Sequence, residues 1–248
     1  MFPLKDNIPT ERPALVTYAL ILINVLAYFL WQKGGILHGP SDANVIDYGW
    51  IPYEAKHLGD QCIEQSGAIA CGKVDGQPSI VETAFTSMFM HGSILHLAGN
   101  MLFLWIFGNN VEDAMGPVKF LLFYLLAGVA ALALQVVFDP SSTVPTLGAS
   151  GAIAAVLGGY ILLFPRAKVV TVIFIVFFFT ILELPAMLVL GFWFVEQALF
   201  AANNIGSSSG GGVAYFAHIG GFVFGLAAVR LLANKQRVDR QTERVTLR

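Results

Sequence analysis

Four polar residues of this chain have the types and the spacing that could carry out chemistry. His96 and Asn100 are four residues apart, which places both side chains on one face of a helix. Ser150 lies in a Gly-Ala-Ser-Gly sequence, and His218 lies in Ala-His-Ile-Gly-Gly. A serine hydroxyl becomes an effective nucleophile when a neutral histidine takes its proton. Ser150 and His218 are therefore a candidate nucleophile and general base for acyl transfer.

Acyl transfer also needs hydrogen-bond donors that face the oxyanion of the transition state. The backbone N–H of Ser150 is one candidate, because we expect it at a helix N-terminus, where negative charge is favoured. The side chains of His96 and Asn100 are two further candidates. The acids Glu183 and Glu196 are not placed to complete a catalytic triad. The sequence therefore predicts a Ser–His dyad with an oxyanion site, without a metal or an organic cofactor.

The elements that must position these residues are membrane helices. Only 12% of the 248 residues are charged and 56% are hydrophobic, with a mean hydropathy of +0.69. A soluble domain carries about 25% charged residues, so this composition excludes a typical soluble protein. The hydrophobic content also excludes a disordered chain. The net charge of −2 argues against nucleic acid as a partner. The composition predicts an all-α polytopic membrane protein.

Stretches without charge predict where this chain crosses the bilayer. A membrane helix needs about 20 predominantly apolar residues. The sequence contains six such segments, at about 14–31, 92–109, 117–138, 149–164, 183–201 and 213–233. They are solidly apolar and do not alternate, which disfavours a β-barrel. We expect a single domain over residues 1–248, with an outer loop at 32–91 and a polar tail at 234–248.

The distribution of basic residues predicts the orientation of the six spans. Eleven Lys and Arg residues fall on the side that holds both termini, and three fall on the other side. The positive-inside rule then places both termini in the cytoplasm. The sequence shows no organellar targeting segment, so we expect a multi-pass protein of the bacterial plasma membrane.

This orientation gives the four polar residues a common depth. The second, fourth and sixth spans all run from outside to inside, and each candidate lies within about two turns of its span's outer end. Small residues let membrane helices approach closely, and the sixth span has a GxxxG pattern from Gly221 to Gly225. The fourth span begins with a similar stripe that includes Gly151. If the two stripes meet, Ser150 and His218 also meet.

Three connecting segments each allow two interpretations. Cys62 and Cys71, in the outer loop, could form a disulfide or remain free thiols. Residues 169–182 are apolar but too short for a separate span. They could form a membrane-dipping connection, or an over-long fifth helix kinked at Pro185. The glycine- and serine-rich stretch 203–212 could be a lid over the site or a slack connector.

The motifs around the polar residues resemble those of the rhomboid family of intramembrane serine proteases. The similar segments are residues 91–100, 107–116, 148–151 and 217–225, and the resemblance covers roughly residues 80–232. It implies a six-helix rhomboid-like bundle. It also implies Ser150 as nucleophile, His218 as base, and His96 and Asn100 as oxyanion-binding residues. The implied substrates are transmembrane segments of other proteins, cut near the outer face within membrane lipid. The Trp-Arg pair found in the first outer loop of some bacterial members does not occur here.

Two other functions fit the same sequence. The first is a non-proteolytic, rhomboid-like membrane scaffold or quality-control factor. The second is a transporter that uses His96 and His218. The sequence has no obvious internal repeat, which disfavours the transporter.

Overall fold

The apolar segments of the chain fold into a helical bundle. A computed structural model describes residues 2–65, 67–74, 76–175, 178–203 and 213–246. The bundle comprises α1 (Leu15–Leu26, continuing through a π-helical turn to Trp31), α5 (Ile94–Phe103), a π-helical segment (Leu104–Gly108), α6 (Asn109–Met115), α7 (Pro117–Phe138), α8 (Ser150–Leu163), α9 (Ala186–Asn203) and α10 (Tyr215–Leu232). Helix α8 consists of small and apolar residues on all sides and lies in the centre of the bundle, almost entirely buried.

Four helices in the described ranges are long and apolar enough to cross a membrane. They are Ile94–Met115, Pro117–Phe138, Ala186–Asn203 and Tyr215–Leu232. The chain is thus an integral, multi-pass membrane protein. The predicted first and fourth spans form the shorter apolar helices Leu15–Trp31 and Ser150–Leu163, so the count of six spans stays a prediction.

The prediction of an all-α fold is wrong for the segment at 169–182. Strands β4 (Lys168–Ile175) and β5 (Phe178–Pro185) form an antiparallel hairpin, and β1 (Phe2–Asp6) pairs with β4 to give a three-stranded sheet. The segment is rich in β-branched and aromatic residues, which favour strands. The interpretation as an over-long fifth helix kinked at Pro185 is therefore wrong, whereas the membrane-dipping connection stays a prediction. Helix α9 begins directly after Pro185 and not at residue 183.

The predicted outer loop at 32–91 contains secondary structure of its own. It holds α2 (Asp42–Tyr48), α3 (Pro52–Lys56), the hairpin of β2 (Gln61–Gln65) and β3 (Ala68–Gly72), and α4 (Ile80–Thr86). Cys62 and Cys71 are directly opposite each other on the two strands and form a disulfide. The interpretation as a disulfide is therefore confirmed, and the alternative of two free thiols is wrong.

The polar tail predicted at 234–248 contains a helix that packs on the bundle. Residues Lys235–Thr246 form helix α11, which packs against α6. The side chain of Gln241 is fully buried there, and both Arg240 and Arg244 form ion pairs with Glu11. These contacts hold the C-terminal helix against the N-terminal segment.

Acidic side chains fix the N-terminal segment to the bundle. The Glu112 carboxylate accepts hydrogen bonds from the backbone N–H groups of Val16 and Thr17, at 3.0 and 2.7 Å, and so caps the N-terminus of α1. The buried Asp6 Oδ2 accepts from Asn110 Nδ2 and from the Tyr160 hydroxyl, each at 2.6 Å. Burial raises the pKa of Asp6 to about 6.

Candidate active site

Close contact between α8 and α10 builds the site. A β-carbon added at Gly225 would lie 2.7 Å from the Cα of Ala155, and one added at Gly221 would lie 2.9 Å from the carbonyl carbon of Gly151. Only glycine permits this approach, because nonbonded carbon atoms prefer separations of about 3.5–4.0 Å. The two stripes of small residues therefore do meet.

This contact brings Ser150 to His218. The Nε2 atom of His218 lies 2.8 Å from the Oγ of Ser150, which is hydrogen-bond distance. Ser150 is the first residue of α8, and Gly148 precedes it with a φ of +122°, a backbone conformation that L side chains rarely adopt. Gly148 also faces the His96 ring, which a β-carbon there would approach to 2.9 Å. A side chain at position 148 would therefore strain the loop that places Ser150 beside His96.

The second ring nitrogen of His218 also has a partner. Its Nδ1 atom lies 2.8 Å from the Oε1 of Gln197 on α9. The ring of Trp193, one turn earlier on α9, lies 5.7 Å from the His218 ring between centroids. Both nitrogens of His218 are thus in hydrogen-bond contact, one with α8 and the other with α9.

Asn100 and His96 lie on α5, whose first turn is capped by Ser93. The Nδ2 of Asn100 lies 2.9 Å from the Nε2 of His91, a residue that is fully buried. The side chain of Gln32, just after α1, bonds both the backbone N–H and the carbonyl of His91. Through this chain of contacts, the residues that follow α1 help to fix the Asn100 amide.

All four candidate residues line one cavity, which has a volume of about 480 Å³. His96, Asn100, Ser150 and His218 all line it, together with Trp193. A hydroxyl beside a histidine, with amide and imidazole groups nearby, is a set of groups suited to acyl transfer. The described residues contain no group of three or more His, Cys, Asp and Glu side chains that could hold a metal ion.

Other residues considered from the sequence lie apart from this cavity. Glu183 is on β5 and Glu196 is exposed on α9, and neither lines the cavity. The stretch at 203–212, interpreted as a lid or a connector, lies outside the described residues beyond Asn203.

Comparison with known proteins identifies the family. The sequence profile of the rhomboid domain matches residues 79–235, which is more than half of the chain and includes all four candidate residues. This chain belongs to the rhomboid family. The resemblance found in the sequence motifs is thereby confirmed.

Several named rhomboid proteins are similar to this chain. Rhomboid protein 1, mitochondrial, of Saccharomyces cerevisiae is 28% identical over 87% of this chain and 52% of its own length. Rhomboid protease GluP of Bacillus subtilis is 36% identical over 87% of this chain and 34% of its own length. Presenilin-associated rhomboid-like protein A, mitochondrial, of Danio rerio is 32% identical over 56% of this chain and 34% of its own length. The chain thus spans about a third to a half of the length of these relatives.

Two residues of this rhomboid site were not among the candidates from the sequence. Gln197 contacts His218, and His91 contacts Asn100. Gln197 is an amide in an apolar helix, four residues after Trp193, so the two share a helix face. The sequence shows that Trp193 and Gln197 share a helix face, but it does not show which neighbouring helix that face contacts.

Proposed function

We propose that this rhomboid protein is a serine endopeptidase that cleaves transmembrane segments of other membrane proteins near the outer face. The observation that carries the proposal is the 2.8 Å contact between Ser150 Oγ and His218 Nε2 in a cavity shared with His96 and Asn100. The name of the Bacillus subtilis relative, a rhomboid protease, supports the same activity.

The reaction follows the chemistry of a Ser–His pair. His218 Nε2 takes the hydroxyl proton as Ser150 Oγ attacks the carbonyl carbon of the scissile peptide. The tetrahedral intermediate collapses when the histidine returns that proton to the leaving amine, which leaves an acyl-enzyme. His218 then takes a proton from a water molecule as that water attacks the acyl carbon. It returns the proton to Ser150 Oγ as the ester bond breaks, which releases the acid and the free serine.

Three groups are proposed to stabilise the oxyanion. Ser150 is the first residue of α8, so its backbone N–H has no partner within the helix. The His96 ring lies beside Gly148, next to the nucleophile. Asn100 uses its amide nitrogen to contact His91, and one of its two N–H groups remains for the cavity. Loss of one oxyanion donor typically costs about 2.7–4 kcal/mol of transition-state stabilisation.

The substrate and the membrane arrangement are part of the same proposal. A transmembrane substrate must unwind locally before cleavage, because its helical amides are already hydrogen-bonded. We propose six spans within one rhomboid domain, both termini in the cytoplasm, and α9 as a helix that moves aside to admit substrate. The relatives include mitochondrial and bacterial proteins, so the bacterial plasma membrane stays a prediction.

The test is cleavage of a panel of transmembrane substrates in proteoliposomes by the wild type and by Ser150→Ala, with cut sites read by mass spectrometry. We expect cleavage near the outer end of the substrate helix that disappears in Ser150→Ala, while expression and thermal stability persist. A non-proteolytic scaffold would show no cleavage with either protein. Equal cleavage by Ser150→Ala would contradict the assignment of the nucleophile.

A further inference from the structure

We propose that Gln197 is a positioning residue that holds His218 in the tautomer needed to activate Ser150. The inference rests on the proposed peptidase activity and adds to it a third polar group, supplied by a third helix. The expected dyad is, in this proposal, a chain of three side chains that runs from Gln197 through His218 to Ser150.

The geometry places Gln197 where such a residue must lie. Its side chain is on the face of α9 that meets α10, and it is only 8% exposed. The Oε1 atom of Gln197 is 2.8 Å from Nδ1 of His218. On the far side of the same ring, Nε2 of His218 is 2.8 Å from Ser150 Oγ. Trp193 packs near the same ring from one turn earlier on α9. The imidazole is thus held from both ends.

The contact with Gln197 bears directly on the tautomer of His218. The amide oxygen places an acceptor 2.8 Å from Nδ1, and this contact favours the tautomer in which Nδ1 carries the hydrogen. A neutral imidazole has one protonated nitrogen, which leaves Nε2 as an acceptor toward the Ser150 hydroxyl. The opposite tautomer would protonate Nε2 and remove its capacity to take the serine proton. Gln197 therefore selects the form of His218 that works as a base.

The same contact gains strength during the reaction. When His218 takes the proton it becomes an imidazolium, and the Nδ1–H bond to Gln197 becomes charge-assisted, which makes it stronger than a neutral bond. The transition state benefits more than the ground state, so the contact affects kcat and not substrate binding. From the ordinary worth of a hydrogen bond to a charged group, we expect its removal to lower kcat about 10- to 100-fold.

The experiment compares Gln197→Met, Gln197→Glu and a control, Glu196→Met. Methionine keeps the length of the side chain but is a weak acceptor, whereas glutamate keeps an acceptor oxygen. Glu196 is the adjacent residue and is exposed, so its substitution tests methionine on the same helix away from His218. Each variant is assayed for kcat and KM on a transmembrane substrate. The labelling rate of Ser150 by a fluorophosphonate is measured separately.

We expect Gln197→Met to lose kcat and labelling rate to a similar degree with KM unchanged, and Glu196→Met to resemble the wild type. Gln197→Glu should recover most of the lost rate, because the carboxylate accepts from Nδ1. If Gln197→Met labels and cleaves as fast as Glu196→Met, the inference is wrong. It is also wrong if Gln197→Glu is as slow as Gln197→Met. If Gln197→Met does not fold, Gln197→Leu takes its place in the comparison.

These outcomes separate the inference from the proposed function. If wild-type Ser150 neither reacts with the fluorophosphonate nor cleaves any substrate, the peptidase proposal itself fails. If wild-type Ser150 reacts and the Gln197 variants react equally fast, only the positioning role fails.

Discussion

Substitution of Gly221 by alanine is the sharpest test of how the fold builds the site. The added methyl would lie 2.9 Å from the carbonyl carbon of Gly151 and closer still to its oxygen. To restore ordinary contact, α8 and α10 must separate by about 1 Å. Gly151 directly follows Ser150, and Gly221 is one helical turn after His218. Separation of the two helices at these glycines therefore also moves Ser150 and His218 apart.

The expected loss can be worked from that displacement. The distance between Ser150 Oγ and His218 Nε2 would grow from 2.8 Å to about 3.8 Å, beyond hydrogen-bond range. A misplacement of about 1 Å in an active site can lower the rate about 100-fold. Overpacking of this kind also costs about 1–3 kcal/mol of stability.

The assay is cleavage of a transmembrane substrate, with thermal unfolding measured on the same preparations. The matched control is Gly191→Ala on α9, where an added β-carbon meets no atom within 4 Å. Alanine there should keep activity and add up to about 1 kcal/mol of helix stability. If Gly221→Ala retains activity within about threefold of Gly191→Ala, the backbone contact does not set the dyad geometry, and the reasoning from displacement is refuted.

Two further predictions concern the N-terminal contacts. The raised pKa of Asp6, about 6 in the folded protein, means that the fold favours the protonated acid. The contribution of Asp6 to the free energy of unfolding should be greatest below about pH 4 and should be lost as the pH rises to about 6. Between pH 4 and 7, the free energy of unfolding of the wild type should therefore fall by up to about 3 kcal/mol relative to that of Asp6→Asn. A loss in the opposite direction would contradict the buried-acid account. Glu112→Ala should lower stability by about 1–3 kcal/mol, because it leaves buried N–H groups of α1 without an acceptor. Glu11→Ala, which removes only partly exposed ion pairs, should cost less than about 1 kcal/mol, and equal losses in the two variants would argue against the capping role of Glu112.

The sequence by itself determined the environment of this protein and the residues of its candidate site. A chain with so few charged residues is suited to a bilayer. Polar side chains are rare in membrane segments, so the exceptions stand out as candidates: Ser150, His218, His96 and Asn100. The stripe at Gly221 and Gly225 predicted a close helix contact, because small residues are what such contacts require. These inferences needed only composition and spacing along the chain.

Other features depend on partners that are distant in sequence. Residues 169–182 are almost entirely apolar, and such a run does not distinguish a strand from a helix. In the structure this segment pairs within itself as the hairpin of β4 and β5, and β1, at the opposite end of the chain, adds the third strand. Likewise, α11 is polar and basic, yet it docks because Glu11 and α6 offer it partners.

The same limit explains why Gln197 came only from the tertiary structure. From the sequence, Glu196 and Gln197 are adjacent polar residues in an apolar helix, and neither was predicted to be a third catalytic group. The packing of α9 on α10 turns Glu196 outward and brings the Gln197 amide to His218. Residue types fix which chemistry is available, whereas the rotation of one helix against another fixes which of two neighbouring side chains reaches the base.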